Sequence, residues 1–201
     1  MSVKDSATEE LIKDTAKRIF FAEGRFNATT QEIADAAGVN RTLVHYYFRS
    51  RDLLFEKVWQ EGQAEFKEKL NENANSDLSF RERVGHFIDV WMAHANKYPY
   101  LDVYLASNIH KGDFLDLYTR QQQPVEEKRK KEFLEEVEKE MKAGNIHTMD
   151  PHQFMLNMIA LISYPLTMRP LMERALSISK KKYEALMKER KEAILKVLFK
   201  K

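Results

Sequence analysis

Apolar residues recur at three- and four-residue intervals along most of this chain, and polar breaks divide the pattern into helices. Leu11, Ile12, Ala16, Ile19 and Phe20 place one face on a first helix from about Thr8 to Glu23. Ile33, Ala34 and Ala37 share the face of a short second helix, and Val44 and Phe48 that of a third. Leu53, Leu54, Val58 and Phe66 run through a fourth, opened by Ser50 and lasting to about Leu70. After the polar stretch 71–77, Ser79 and Glu82 open a fifth helix that ends before Pro99. A short helix over 100–109 and a long charged one over 114–142 follow, the latter ended by Gly144 and Asn145. Asp150 and Pro151 start the most apolar segment, which Pro165, Arg169 and Pro170 are expected to break. A last helix, 179–199, gathers Tyr183, Leu186, Met187, Ile194, Leu195 and Leu198 on one side. The spacings predict an all-α chain of about nine helices.

Residues 29–55 carry the sharpest local signal. Thr29 with Glu32 fits a capping box. Gly38 suits the left-handed residue that ends a helix, and Asn40 can cap the next. The small residues of the first of these helices allow the close approach that a steep crossing needs. This is a helix-turn-helix, whose second helix is the part that enters a major groove. That helix carries Arg41, Thr42, Leu43, His45, Tyr46 and Tyr47. Arg41 and Thr42 stand at its start, where side chains meet base edges, and His45 and Tyr46 lie one turn on. Thr29, Thr30 and Arg51 sit at helix starts, where backbone amides favour phosphate.

Phe20, Ala22-Glu23-Gly24, Thr29-Thr30, Ile33-Ala34, Ala37-Gly38-Val39, Tyr47-Phe48, Ser50-Arg51 and Leu53 together closely resemble the N-terminal domain of TetR-family transcriptional regulators. The resemblance spans residues 8–58, about a quarter of the chain. It departs from the family at Thr42-Leu43-Val44-His45, where a Gly-Thr-Leu-Tyr run is frequent, and at Arg51, commonly Lys. Base preference therefore does not carry over. The resemblance implies a DNA-binding domain over 1–52 and a helical effector-binding and dimerisation domain over 53–201. It implies a homodimer through the last two helices, a near-palindromic double-stranded operator, and a repressor released by a small-molecule effector. It also makes Tyr47 a phosphate contact, so the DNA-facing set is Thr29, Thr30, Asn40, Arg41, Thr42, Leu43, His45, Tyr46, Tyr47 and Arg51. The alternative keeps DNA binding and makes the C-terminal half a dimerisation or protein-docking scaffold.

Composition narrows the classes. Hydrophobic residues make 43% of the 201 and charged residues 32%, the balance of a helix-rich globular protein. Net charge is only +2, so DNA binding is argued by the motif and not by a basic excess. Cysteine is absent, which excludes disulfides and thiolate chemistry. The polar N-terminus lacks a signal-peptide core and no apolar run reaches the ~20 residues of a membrane span, which points to the cytoplasm. His86 and His94 lie too far apart along a helix to share zinc, at ~12 Å. No nucleophile motif or phosphate-binding Gly loop is present, so no cofactor, metal or enzymatic role is expected. The run 126–142 interleaves acids with bases and reads as a solvated helix face. Trp91, His94, Tyr104, Asn108, Tyr118 and Met158 are the candidate lining of an effector pocket, mostly apolar with a few polar groups.

Overall fold

The computed structural model describes residues 3–72, 77–108 and 124–200. Among them are eleven α-helices and no strand. Helix α1 (Val3–Lys17) runs on through a π-helical turn (Arg18–Ala22). Then come α2 (Thr30–Ala37), α3 (Arg41–Phe48), α4 (Arg51–Asn71), α5 (Phe80–Lys97) and α6 (Leu101–Asn108). The chain continues with α7 (Pro124–Lys142), α8 (Pro151–Thr167), α9 (Arg169–Ala175), α10 (Lys180–Lys188) and α11 (Arg190–Leu198). The expected start of the charged helix at Phe114 lies outside the described residues.

The helix count exceeds the expected nine for two local reasons. The final helix breaks at Glu189 (φ −90°, ψ −2°), which ends α10 and begins α11. Pro170 starts a separate α9, as a proline without an N–H does well in a first turn. The expected break at Pro165 does not occur: α8 passes through it and ends at Thr167. A proline inside a helix leaves the carbonyl four residues earlier without its donor. Here that carbonyl, Leu161 O, accepts from Arg190 Nε at 3.1 Å and Nη2 at 2.8 Å. One turn on, Tyr183 donates its hydroxyl proton to Pro165 O at 2.6 Å. The Arg190 side chain of α11 thus replaces the bond that the proline removes, and Tyr183 of α10 satisfies a carbonyl in the last turn of α8.

Two apolar cores result. Ile12, Ile19, Phe20, Ile33, Val44, Leu54, Val58 and Trp59 build the first, with Tyr98 and Leu101 from the α5–α6 turn. Val84, Ile88, Phe154, Ile162, Ile194 and Leu198 build the second around α5, α8 and α11. A division at 52/53 would cut α4 two residues in, while Leu54, Phe55 and Val58 belong to the N-terminal core. Charge reinforces the α1–α4 contact. Lys13, 5% exposed, reaches Glu61 at 2.6 Å and Glu10 at 2.7 Å, while Lys17 reaches Glu61 at 3.0 Å. Burial opposes the Lys13 charge, but its bonds to the two carboxylates outweigh that and hold its pKa above the ordinary lysine value.

The α5–α6 turn is also bonded to the N-terminal domain. Tyr100 N–H donates to Phe21 O at 3.0 Å, and the Tyr104 ring packs on Phe26 and Phe55 at 4.9 and 4.6 Å. Gly24, at φ +70°, lies against the Tyr100 ring, and a Cβ there would stand 2.8 Å from Tyr100 Cγ.

Candidate nucleic-acid interface

Helices α2 and α3 are held at both ends of their turn. Thr29 Oγ1 accepts from Glu32 N–H at 3.2 Å while Thr29 N–H donates to Glu32 Oε2 at 2.8 Å, the expected capping box. Gly38 closes α2 at φ +67°, and Val39 N–H returns to Ala34 O at 3.0 Å. Asn40 Oδ1 then accepts from Thr42 N–H at 2.8 Å and starts α3. Val44 and Phe48 bury one face of α3. The opposite face presents Arg41, Thr42, Leu43, His45 and Tyr46 to solvent, with Tyr46 70% exposed.

Several expected residues have internal ties. Arg41 Nε donates to Thr30 Oγ1 at 3.3 Å, so the two sit together at the N-terminal end of the pair. Tyr47 is half-buried, and its hydroxyl donates to Asp5 Oδ1 at 3.4 Å. Burial, then the Asp5 charge, raise its pKa above the ordinary tyrosine value. Arg51 was expected at phosphate, yet its guanidinium points inward. It donates to Phe26 O and, at 2.8 Å, to Asp52 Oδ1, and it lies 5.2 Å over the Phe20 ring and 5.7 Å over Phe55. The structure makes it a brace between the α1 end and α4. Conversely, Arg49 caps α3 at φ +65° and is exposed beside the recognition face. The motif pattern left it out, although a cation at a helix end next to that face was the available signal.

Of the candidate effector residues that are described, Trp91 and His94 share one aromatic wall, while Tyr104 and Met158 pack in different cores. Trp91 packs on Phe66 and Phe87 at 5.8 and 5.4 Å and donates to Asp102, a carboxyl whose pKa burial raises. His94 joins the same wall through Phe66 at 5.0 Å, with Tyr98 at 5.2 Å, and burial pushes its pKa down to about 4. Tyr104 belongs instead to the N-terminal core, and Met158 is buried in the other. The Asn108 side chain and Tyr118 lie outside the described residues. No group of three or more His, Asp or Glu is placed to share a metal among the described residues.

Residues 12–58, spanning the α1–α4 unit just described, match the model of the tetR family of bacterial regulatory proteins. Over these residues the chain is similar to the TetR family of transcriptional regulators. The chain is 36% identical over 53 residues to the HTH-type transcriptional regulator AcrR of Shigella flexneri, covering 26% of this chain and 25% of that one. It is 27% identical over 110 residues to the HTH-type transcriptional repressor NicS of Pseudomonas putida, covering 52% and 50%. The chain thus spans a quarter and a half of the lengths of these curated relatives. Its fold extends further. A transcriptional regulator from Saccharomonospora viridis, solved with choline, superposes with TM-score 0.68 over 98% of this chain and 100% of its own, at 16% identity.

Proposed function

We propose that this chain is a TetR-family, sequence-specific DNA-binding transcriptional regulator, acting in the cytoplasm as a homodimeric repressor that a small molecule releases from its operator. One observation carries the reading: α3 buries Val44 and Phe48 and turns Arg41, Thr42, Leu43, His45 and Tyr46 outward on a helix fixed by caps at its start. That face is exposed, as a helix that enters a major groove requires. Asn40 fixes the start of the helix, and Thr29, Thr30 and the Tyr47 hydroxyl flank it as phosphate contacts.

Exposed apolar residues support the dimer. Leu156 and Tyr164 on α8 and Val197 on α11 are 57%, 52% and 62% exposed, an unusual expense of apolar surface on the last helices of a chain. Two copies related by a two-fold axis would present two α3 helices to successive grooves, ~34 Å or a multiple apart, on a near-palindromic operator. The choline in complex with the Saccharomonospora viridis regulator supports a small-molecule role for a chain of this fold. No helix among the described residues is long and apolar enough to cross a membrane. The packing of Tyr104 and Met158 into the two cores favours the alternative, a dimeric scaffold without an effector, at those two positions.

The test is selection of bound sequences from a random DNA pool, followed by gel shifts on the recovered site. Arg41→Ala should weaken binding by about 5–150-fold, the equivalent of a lost bidentate base contact, and relax one position of the site. Recovery of no sequence preference, or an affinity that Arg41→Ala leaves unchanged, refutes the reading.

A further inference from the structure

Helix α10 is anchored to the body of the molecule through Tyr183, which is buried. Between this helix, α5 and the α8–α9 turn lies an open groove of about 570 Å³, whose lining does not include Trp91 or His94. Its floor is apolar, formed by Met92 of α5, Leu166 of α8, and Tyr183 and Met187 of α10. The Tyr183 hydroxyl is already bonded to Pro165 O, so the floor offers ring and thioether surface rather than a free hydroxyl.

The rim is charged, and most of its charges are matched. Arg169 meets Glu173 at 2.8 Å and Glu184 at 3.1 Å, and the Lys191 ammonium meets Asp89. Lys188, in the last turn of α10, has no ion-pair partner among the described residues. Both rim carboxylates are engaged, so an incoming cation would find no open partner and an incoming anion finds Lys188. The lining on α5 runs from Asp89 to Asn96, about 10 Å along the helix axis. Asp89 with Lys191 closes the far end and separates this groove from a second depression of about 420 Å³.

We propose that the groove binds a small amphipathic carboxylate, its medium-length apolar body against Met92, Leu166 and Met187 and its carboxylate at Lys188. The site deepens the effector reading above and rests on it only for the consequence at the operator. A ligand wedged here would also bear on Tyr183, which is bonded to Pro165 O in the last turn of α8, and on Arg169 at the start of α9.

Isothermal calorimetry of the full chain with octanoate, octylamine and octan-1-ol tests the binding. Octanoate should bind, octylamine should not, and hexanoate should bind about fifteenfold more weakly, from two methylenes at about fourfold each. Lys188→Glu, at an exposed position, should weaken octanoate at least ~tenfold, and Met92→Glu should abolish binding with helicity kept. Absence of octanoate binding, equal binding of octylamine, or indifference to Lys188→Glu overturns the proposal. If a second copy fills the groove instead, octanoate fails to bind and Met187→Glu shifts sedimentation to monomer, which also overturns it. Gel shifts with octanoate separate the two readings: binding without operator release leaves the site standing and refutes its role as effector site.

Discussion

The repair of Pro165 by Arg190 makes a quantitative prediction. Removing the guanidinium in Arg190→Met keeps the apolar stem but leaves Leu161 O, with no amide at position 165, lacking both donors at 3.1 and 2.8 Å. A hydrogen bond from a charged donor contributes about 1.5–3 kcal/mol, and a buried acceptor left bare costs about 1–3 kcal/mol. The two bonds share one acceptor, so their contributions overlap, and the expected loss is about 2–3 kcal/mol. In a Pro165→Ala background the new amide can donate to Leu161 O in the ordinary helical pattern, and the same Arg190→Met change should then cost about 1 kcal/mol or less. The double-mutant coupling is therefore about 1–2 kcal/mol. Urea unfolding of the four proteins at one fixed protein concentration measures it, since the stability of a dimer depends on concentration. Additivity of the two substitutions within ~0.5 kcal/mol would mean that Arg190 does not replace the missing donor.

Two further expectations follow from burial and backbone geometry. His94 has its pKa pushed from 6.5 to about 4 by burial, with Glu65, Lys97 and Lys69 as the charges around it. The unfolded chain binds the proton first as pH falls, so this contribution to stability is whole above about pH 6.5 and is lost progressively toward pH 4. After discounting for partial solvent access, the wild type should lose about 1 kcal/mol more than His94→Gln between pH 7.5 and 5, and identical pH profiles would refute the shift. Gly24→Ala should cost about 1–3 kcal/mol more than Gly38→Ala in chemical denaturation, because both sit at positive φ but only Gly24 faces a ring, Tyr100. Equal costs would mean that the α5–α6 turn does not press on the N-terminal domain.

What the sequence alone determined is what depends on neighbours within a turn or two. The capping box at Thr29 and Glu32, the left-handed Gly38, the cap at Asn40 and the buried pair Val44 and Phe48 are all decided by spacings of two to four residues, and the helix-turn-helix was legible from them. The same locality exposed the recognition face, since its residues lie opposite the buried pair on one short helix. Tertiary structure decided the rest, because it brings together residues far apart in the chain. Arg51 turns inward because Phe20, Phe26 and Phe55 converge on it from three segments, and a residue's position at a helix start cannot reveal that. Pro165 reads locally as a stop, and continues as helix only because Arg190, twenty-five positions on, delivers the missing donors. Tyr104 and Met158 pack in different cores for the same reason: an apolar helix face announces burial, while the partner that buries it is chosen by the packing of whole helices.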